Sequence, residues 1–331
     1  MTGKIDYLPV LILFPHARCN CRCVMCDIWK STNEAELTTE ELESHLAEIE
    51  QLSVRWVVFS GGEPLMHSDL FRLSALLKSR DIRVSILTTG LLLKRNAAQI
   101  LRHIDDVIIS MDGPEYVHDQ IRRAAGAFSA LRRGVSELRD RNPTFPIAAR
   151  CTIQRANFAH LCETARAAKQ LGLDSISYLA ADLSSEAFNR SRPWDGARQA
   201  EVALRPEDIP HLEREMQRLS SEWGSTGFVL ESQYKLERIV RHFRAHLGLC
   251  EPEAPRCNAP WVSAVVDAEG LVRPCFFHPV IGSLKSHGLL QILNGLEAQR
   301  FRLSLRVETN SICRRCVCSL NLETVVSPKQ L

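Results

Sequence analysis

Six short apolar runs, each followed by a longer stretch of mixed polarity, occupy residues 8 to about 180. The runs cover 8–15, 54–60, 84–88, 107–111, 148–153 and 175–179. Each is short and apolar on both faces, as expected for a buried parallel strand. The intervening stretches 39–52, 70–80 and 128–141 read as helices with one apolar side. Thr39 with Glu40 and Glu41 marks a helix start, its acids complementing the helix dipole. Gly172 ends a helix that begins near Asn157. Strand and helix alternating six times predict an α/β fold: a partial (β/α)6 TIM-like barrel.

The pattern changes after residue 182. Residues 182–206 are polar and contain Pro and Gly, which reads as a loop or lid. Residues 207–247 read as two helices parted near 223–228. Residues 261–267 and 271–275 flank the turn Asp267-Ala-Glu-Gly270 and predict a β-hairpin. The expected division is a barrel core over 8–182, a loop and helical linker over 183–249, and a small α+β domain over 250–331.

Cysteine is the compositional outlier, with 12 residues in a chain of 331. The N-terminus has only a short apolar stretch and no small-residue cleavage site, so no signal peptide is expected. No apolar run is long enough to span a membrane. A cytoplasmic location follows as the expectation, and there clustered cysteines serve metals or redox chemistry rather than disulfides. The 41 basic and 39 acidic residues nearly balance, which gives no support to nucleic-acid binding.

The first cluster is Cys19-x3-Cys23-x2-Cys26, in the loop straight after the first strand. In barrel-like parallel sheets chemistry sits at the C-terminal ends of the strands, where this loop lies. Three thiolates on one loop suit three irons of a cubane and leave the fourth iron open. A structural zinc knuckle is the alternative, although zinc usually takes four ligands. Cys21 falls out of the spacing. Gly61-Gly62-Glu63-Pro64 follows the second strand, Thr88-Thr89-Gly90 ends the third, and Ser110-Met111-Asp112-Gly113-Pro114 ends the fourth. Glycines allow close backbone approach, and a carboxylate can accept from an ammonium group, so this rim suits an amino-acid moiety.

These residues together, with His118-Asp119, resemble the radical S-adenosylmethionine (SAM) enzymes over residues 8–180. The resemblance implies a [4Fe-4S] cluster on Cys19, Cys23 and Cys26 whose open iron chelates SAM. It implies reductive cleavage of SAM to a 5′-deoxyadenosyl radical that abstracts hydrogen from a substrate, and an electron donor such as flavodoxin or ferredoxin. Carried over by match, Met25 lies beside the adenine, Gly61, Gly62 and Glu63 at the methionyl amine, Thr88 on the rim, Ser110 near the ribose or carboxylate, and Leu179 at the adenine. Thr89 departs from the family, whose members often carry Asn there.

The second cluster is Cys257, Cys275, Cys313 and Cys316. Four thiolates from two segments can close a site, and zinc would fit the C-x2-C pair equally well. Cys257-x12-Gly270-x4-Cys275 resembles the SPASM and twitch modules of radical SAM enzymes, which implies a second, auxiliary [4Fe-4S] cluster. Cys250 and Cys318 are spare candidates, and Cys151 and Cys162 read as small buried hydrophobes. His16, His118 and His278 could face the substrate. Basic pairs such as Arg122-Arg123 and Arg314-Arg315 read as solvated faces, with stabilising the reduced cluster or binding an anionic substrate as the alternative near the thiolates.

The leading expectation is therefore a radical SAM oxidoreductase acting on a small polar metabolite. The alternative within the class is a maturase of a ribosomal peptide or protein. A leader-binding domain is not expected ahead of the first strand, which favours the metabolite without removing the peptide reading, since such a domain can be a separate protein. Outside the class stands a non-catalytic metal-binding interaction protein.

Overall fold

Parallel pairing builds the centre of the molecule. The computed structural model describes residues 3–322. Six strands run in order: β1 (Val10–Leu13), β2 (Trp56–Phe59), β3 (Arg83–Thr88), β4 (Asp106–Ser110), β5 (Ile147–Ile153) and β6 (Ser175–Ala180). Each pairs in parallel with its sequence neighbour. All six predicted strands form, shifted by a residue or two at their ends. Helices cover the outer face, each burying one stripe: Leu42, Leu46 and Ile49 from Thr39–Gln51, and Leu131, Val135 and Leu138 from Ala127–Arg141. This is the α/β partial barrel expected from the alternation.

The first helix starts at Thr39, as expected, and Thr38 caps it. Its hydroxyl accepts from Glu41 N at 3.1 Å, and Glu41 Oε2 accepts from Thr38 N at 2.8 Å. The helix expected from Asn157 begins at Leu161. Asn157 is spent on tertiary bonds: Oδ1 accepts from Gln154 N, and Nδ2 donates to the carbonyls of Asp112 and Thr152.

The hairpin near 261–275 also forms, and it does not make a sheet of its own. β7 (Ser263–Val266) pairs in parallel with β1, Val10 opposite Ser263. β8 (Leu271–Arg273) and β9 (Gly282–Ser283) add antiparallel beyond it, giving one nine-stranded sheet. The second cysteine cluster is thereby tied to the edge of the barrel that carries the first. The expected C-terminal domain runs to 331, and 323–331 lie outside the described residues.

The segment expected as a loop or lid lies across the first cysteine loop. Arg190 Nη2 donates to Met25 O at 3.3 Å, Trp194 Nε1 to Asp27 Oδ2 at 2.6 Å, and Asn189 Nδ2 to Asp27 O at 3.3 Å. Arg198 donates to Val24 O. The Arg190 guanidinium stacks 3.7 Å from the Trp194 ring and pairs with Asp182 at 2.6 Å. Phe188 and Asn189 are both left-handed, at φ 62° and 63°. Two such residues in sequence are held by surrounding contacts, and they sit at the cavity described below.

Candidate functional site

Main-chain bonds hold the first cysteine loop in place. Arg22 N and Val24 N donate to the carbonyls of Arg122 and Ile121, at 3.1 and 3.0 Å. Those carbonyls end the helix Glu115–Arg122 and would otherwise lack helical partners. On its other side the loop meets Gly61–Pro64: Glu63 N donates to Arg18 O at 2.8 Å, and Gly62 N to His16 O at 3.3 Å. A Cβ on Gly62 would lie 2.0 Å from Arg18 O. The close approach that Gly62 permits is between these two loops. Gly61, at φ 93°, also lines the large cavity.

Glu63 is wholly buried. Its Oε1 accepts from Leu65 N at 3.1 Å and Thr88 Oγ1 at 2.8 Å, and its Oε2 from Thr89 N at 2.6 Å. Burial raises its pKa against those bonds. The carboxylate thus ties the loop after β2 to the end of β3. Thr88 spends its hydroxyl on Glu63 and accepts from Gly90 N at 3.1 Å. Thr89, where the family often has Asn, donates to Asn20 Oδ1 at 3.0 Å and so braces the cysteine loop.

Within the loop, Cys23 and Cys21 are buried and Cys19 and Cys26 half-buried. Burial pushes the Cys19 thiol up to about 11 and the Cys26 thiol up to about 12. Cys23 runs the other way, down to about 6, because the Cys21 thiol donates to it and Arg122 stands beside it. Arg122 Nη1 lies 3.4 Å from Cys23 Sγ, and its Nη2 lies 2.5 Å from Asp112 Oδ2. Burial works against both charges. Asp112 outweighs it for Arg122, whose pKa rises, while the Asp112 carboxyl is pushed up. At 2.5 Å the contact is read as an ion pair, with a guanidinium aimed at the thiolate loop.

Arg122 is therefore no solvated face, since it is 6% exposed. The sequence did hold a signal for it. His118 and Arg122 lie four residues apart on one helix face. His118 is fully buried, and its Nδ1 accepts from Asp112 N at 3.2 Å. Burial lowers it to about 3, so it is a neutral brace beneath the loop. His16 is likewise lowered to about 4 by burial, with Nε2 2.9 Å from Glu63 O.

The remaining predicted residues line the sheet. Ser110 is half-buried at the end of β4, opposite Arg150 of β5 in the register. Its hydroxyl makes no hydrogen bond among the described residues. Arg150 is exposed in the middle of β5, a strand paired on both sides, with Nε 3.3 Å from Ser177 Oγ. An open guanidinium there was not legible from the run 148–153. Leu179 is half-buried in β6, and Met25 is buried in the cysteine loop.

Cys257, Cys275, Cys313 and Cys316 line one small cavity with Pro260, Phe277 and His278. Burial pushes Cys275 up to about 12 and Cys313 up to about 11. Cys318 and Cys250 do not line that cavity. The Cys318 carbonyl accepts from Cys316 Sγ at 3.4 Å, and Cys250 Sγ donates to Arg241 O at 3.7 Å. A zinc ion needs its sulfurs about 2.3 Å from one centre. Among the described residues no three His, Cys, Asp or Glu side chains converge to hold one metal ion. Four thiols around one cavity match the thiolate donor set of an iron-sulfur cluster.

Between the two cysteine sites lies a larger cavity of about 860 Å³. Phe14, Phe188, Phe276 and Phe277 form an aromatic cluster in its lining. Phe276 meets Phe188 at 4.8 Å, Phe277 at 5.1 Å and Phe14 at 5.6 Å, all edge to face. Polar side chains such as Ser31, Asn33, Ser184 and Glu269 also line it.

The profile of the radical SAM superfamily matches residues 13–168, and that of the SPASM iron-sulfur cluster-binding domain matches 257–317. The chain is 26% identical to the AdoMet-dependent heme synthase of Methanosarcina barkeri over 302 residues, 86% of this chain and 81% of that protein. It is 32% identical to the Fe-coproporphyrin III synthase of the same organism over 46% of this chain and 39% of that one. It is 24% identical to the subtilosin biosynthesis protein AlbA of Bacillus subtilis, over 79% and 53%. In fold it is similar to Streptococcus suis SuiB bound to S-adenosylmethionine, with TM-score 0.66 at 12% identity over 96% of this chain and 74% of that one. It is also similar to anSMEcpe with bound AdoMet and a peptide, with TM-score 0.65 at 20% identity over 93% and 87%. Among the described residues no helix is long and apolar enough to cross a membrane. Two cysteine sites on one parallel sheet and both matched profiles lead to one assignment: the chain belongs to the radical SAM superfamily and carries a C-terminal SPASM iron-sulfur domain.

Proposed function

We propose that this radical SAM enzyme acts on a small molecule of the tetrapyrrole class, polar at its edge and apolar on its face. The observation that carries the reading is the cavity of about 860 Å³ between the two cysteine sites, with its four Phe rings. Ligand pockets span roughly 300–1,000 Å³, so this one takes a large ligand. Aromatic walls suit a flat conjugated ring, while Ser31, Asn33 and Ser184 suit the polar groups at its margin. Relatives named for heme, Fe-coproporphyrin III and pre-heme d1 support the class.

Cys19, Cys23 and Cys26 hold the cluster that binds SAM, and Cys257, Cys275, Cys313 and Cys316 hold the auxiliary one. The SAM-binding cluster, when loaded, supplies the electron that starts radical chemistry. The chain's own residues do the rest. Arg122 offsets the negative charge of the thiolates. Glu63, Thr88 and Thr89 fix the rim where the methionyl amine sits, and main-chain groups of Gly61 and Gly62 meet it. Ser110 and Arg150, adjacent on the sheet, take the carboxylate. Met25 and Leu179 supply apolar contact to the adenine. The strap carrying Arg190 and Trp194 keeps water from the loop. A flavodoxin- or ferredoxin-like protein delivers the electron.

The test is anaerobic titration of the reconstituted enzyme with Fe-coproporphyrin III, followed by absorbance, with 5′-deoxyadenosine release measured alongside. Saturable binding that accelerates release is expected. Phe276→Ala should weaken binding about ten- to a hundred-fold, the range for truncating a buried aromatic anchor. The relative AlbA is named for biosynthesis of the bacteriocin subtilosin, and SkfB of Bacillus subtilis for maturation of a sporulation killing factor. Release stimulated by a peptide and by no tetrapyrrole would replace this reading with that one.

A further inference from the structure

His278 belongs to two cavities at once. With Phe277 and Ile312 it lines the four-thiol cavity, and the same three residues line the large one. These three side chains are the wall between the auxiliary site and the proposed substrate space. The His278 ring is 4% exposed. It packs against Phe301 at 4.8 Å between centroids, and its main-chain N–H reaches the Cys275 carbonyl at 3.4 Å. Ring and backbone are therefore both fixed. The Nε2 atom lies 3.4 Å from Cys313 Sγ. Among the described residues it is the one side-chain nitrogen within hydrogen-bond reach of any of the four sulfurs. A ligating thiolate at Cys313 can only accept, which places the ring proton on Nε2.

We propose that His278 sets the reduction potential of the auxiliary cluster through its Nε2–H···Sγ bond to Cys313. The bond draws charge off the thiolate and favours the cluster after it gains an electron, so it raises the potential. His278 is a positioning residue here, acting through Cys313. The inference rests on Cys313 being a ligand.

The experiment is a potentiometric titration of the reconstituted full chain, followed by electron paramagnetic resonance, with iron counted in every sample. His278→Phe removes the donor and keeps an aromatic ring. Its auxiliary signal should titrate at a lower potential, by at least a tenfold change in the one-electron equilibrium, or about 59 mV. The signal of the cluster on residues 19–26 should not move. His278→Gln restores an N–H and should recover part of the shift. If the Phe variant holds no auxiliary iron, His278→Leu carries the same expectation. A variant with full iron and an unmoved potential would overturn the inference. Cys313→Ala with undiminished iron would instead overturn the ligand assignment beneath it.

Discussion

Changing Cys19, Cys23 and Cys26 together to Ala reduces dithionite-driven 5′-deoxyadenosine formation to background, while the protein keeps about half its iron. The reason is local. The three thiols stand on one loop, and the four that line the other cavity come from residues 257–316. That loop is anchored through the main chain of Arg22 and Val24, so losing three sulfurs leaves its anchors intact. Cys21→Ala is the control. Cys21 is buried, its thiol only donates a hydrogen bond to Cys23, and it falls outside the ligand spacing, so its variant should retain iron and most activity. Residual cleavage in the triple variant would show that the loop does not hold the SAM-binding cluster.

Arg122→Met lowers stability by about 3–5 kcal/mol, because it leaves a buried carboxylate without its partner. Asp112 is fully buried; Oδ1 keeps Thr152 N at 2.8 Å, and Oδ2 loses the guanidinium. Against a total of roughly 5–15 kcal/mol the loss is large, and chemical denaturation measures it. Adding Asp112→Asn should recover part of it, since the unpaired charge is then gone. The sign with pH follows from burial. The Asp112 carboxyl is already pushed up, and it rises further without Arg122. The folded variant then holds a proton that the unfolded chain releases near pH 3.9. Its deficit is full above the variant's folded pKa and shrinks as the pH falls through it toward the native protein's own raised value. A deficit that does not change with pH would mean that Asp112 is not the destabilised group.

What could be read from the sequence is what depends on near neighbours along the chain. Runs such as Val107–Ile109 are apolar at successive positions, as buried strands are. The Cys19-x3-Cys23-x2-Cys26 spacing is local to one loop. The partners of Asp112 and Cys23 are not, because Arg122 reaches Cys23 across 99 residues. Nothing in the pair Arg122-Arg123 separates the buried guanidinium from its neighbour except the position of His118. The strap was seen only as a polar stretch, because Arg190 and Trp194 contact residues more than 160 positions away. The pairing of β7 with β1 was invisible for the same reason, since a hairpin pattern says nothing about which sheet its outer edge joins. Glu63 illustrates a subtler gap. Its motif marked the right loop, and the structure directs its carboxylate to Leu65, Thr88 and Thr89.

Whether two separate clusters serve one radical reaction is tested most directly by iron and labile sulfide counts on the reconstituted chain, with spectra recorded before and after adding SAM. The expected result is about eight irons with matching sulfide and two reduced cluster signals, of which SAM perturbs only one. The perturbed signal should be the one missing in the triple variant of Cys19, Cys23 and Cys26. Bound zinc in place of iron, or a SAM-sensitive signal that survives in the triple variant, would contradict it.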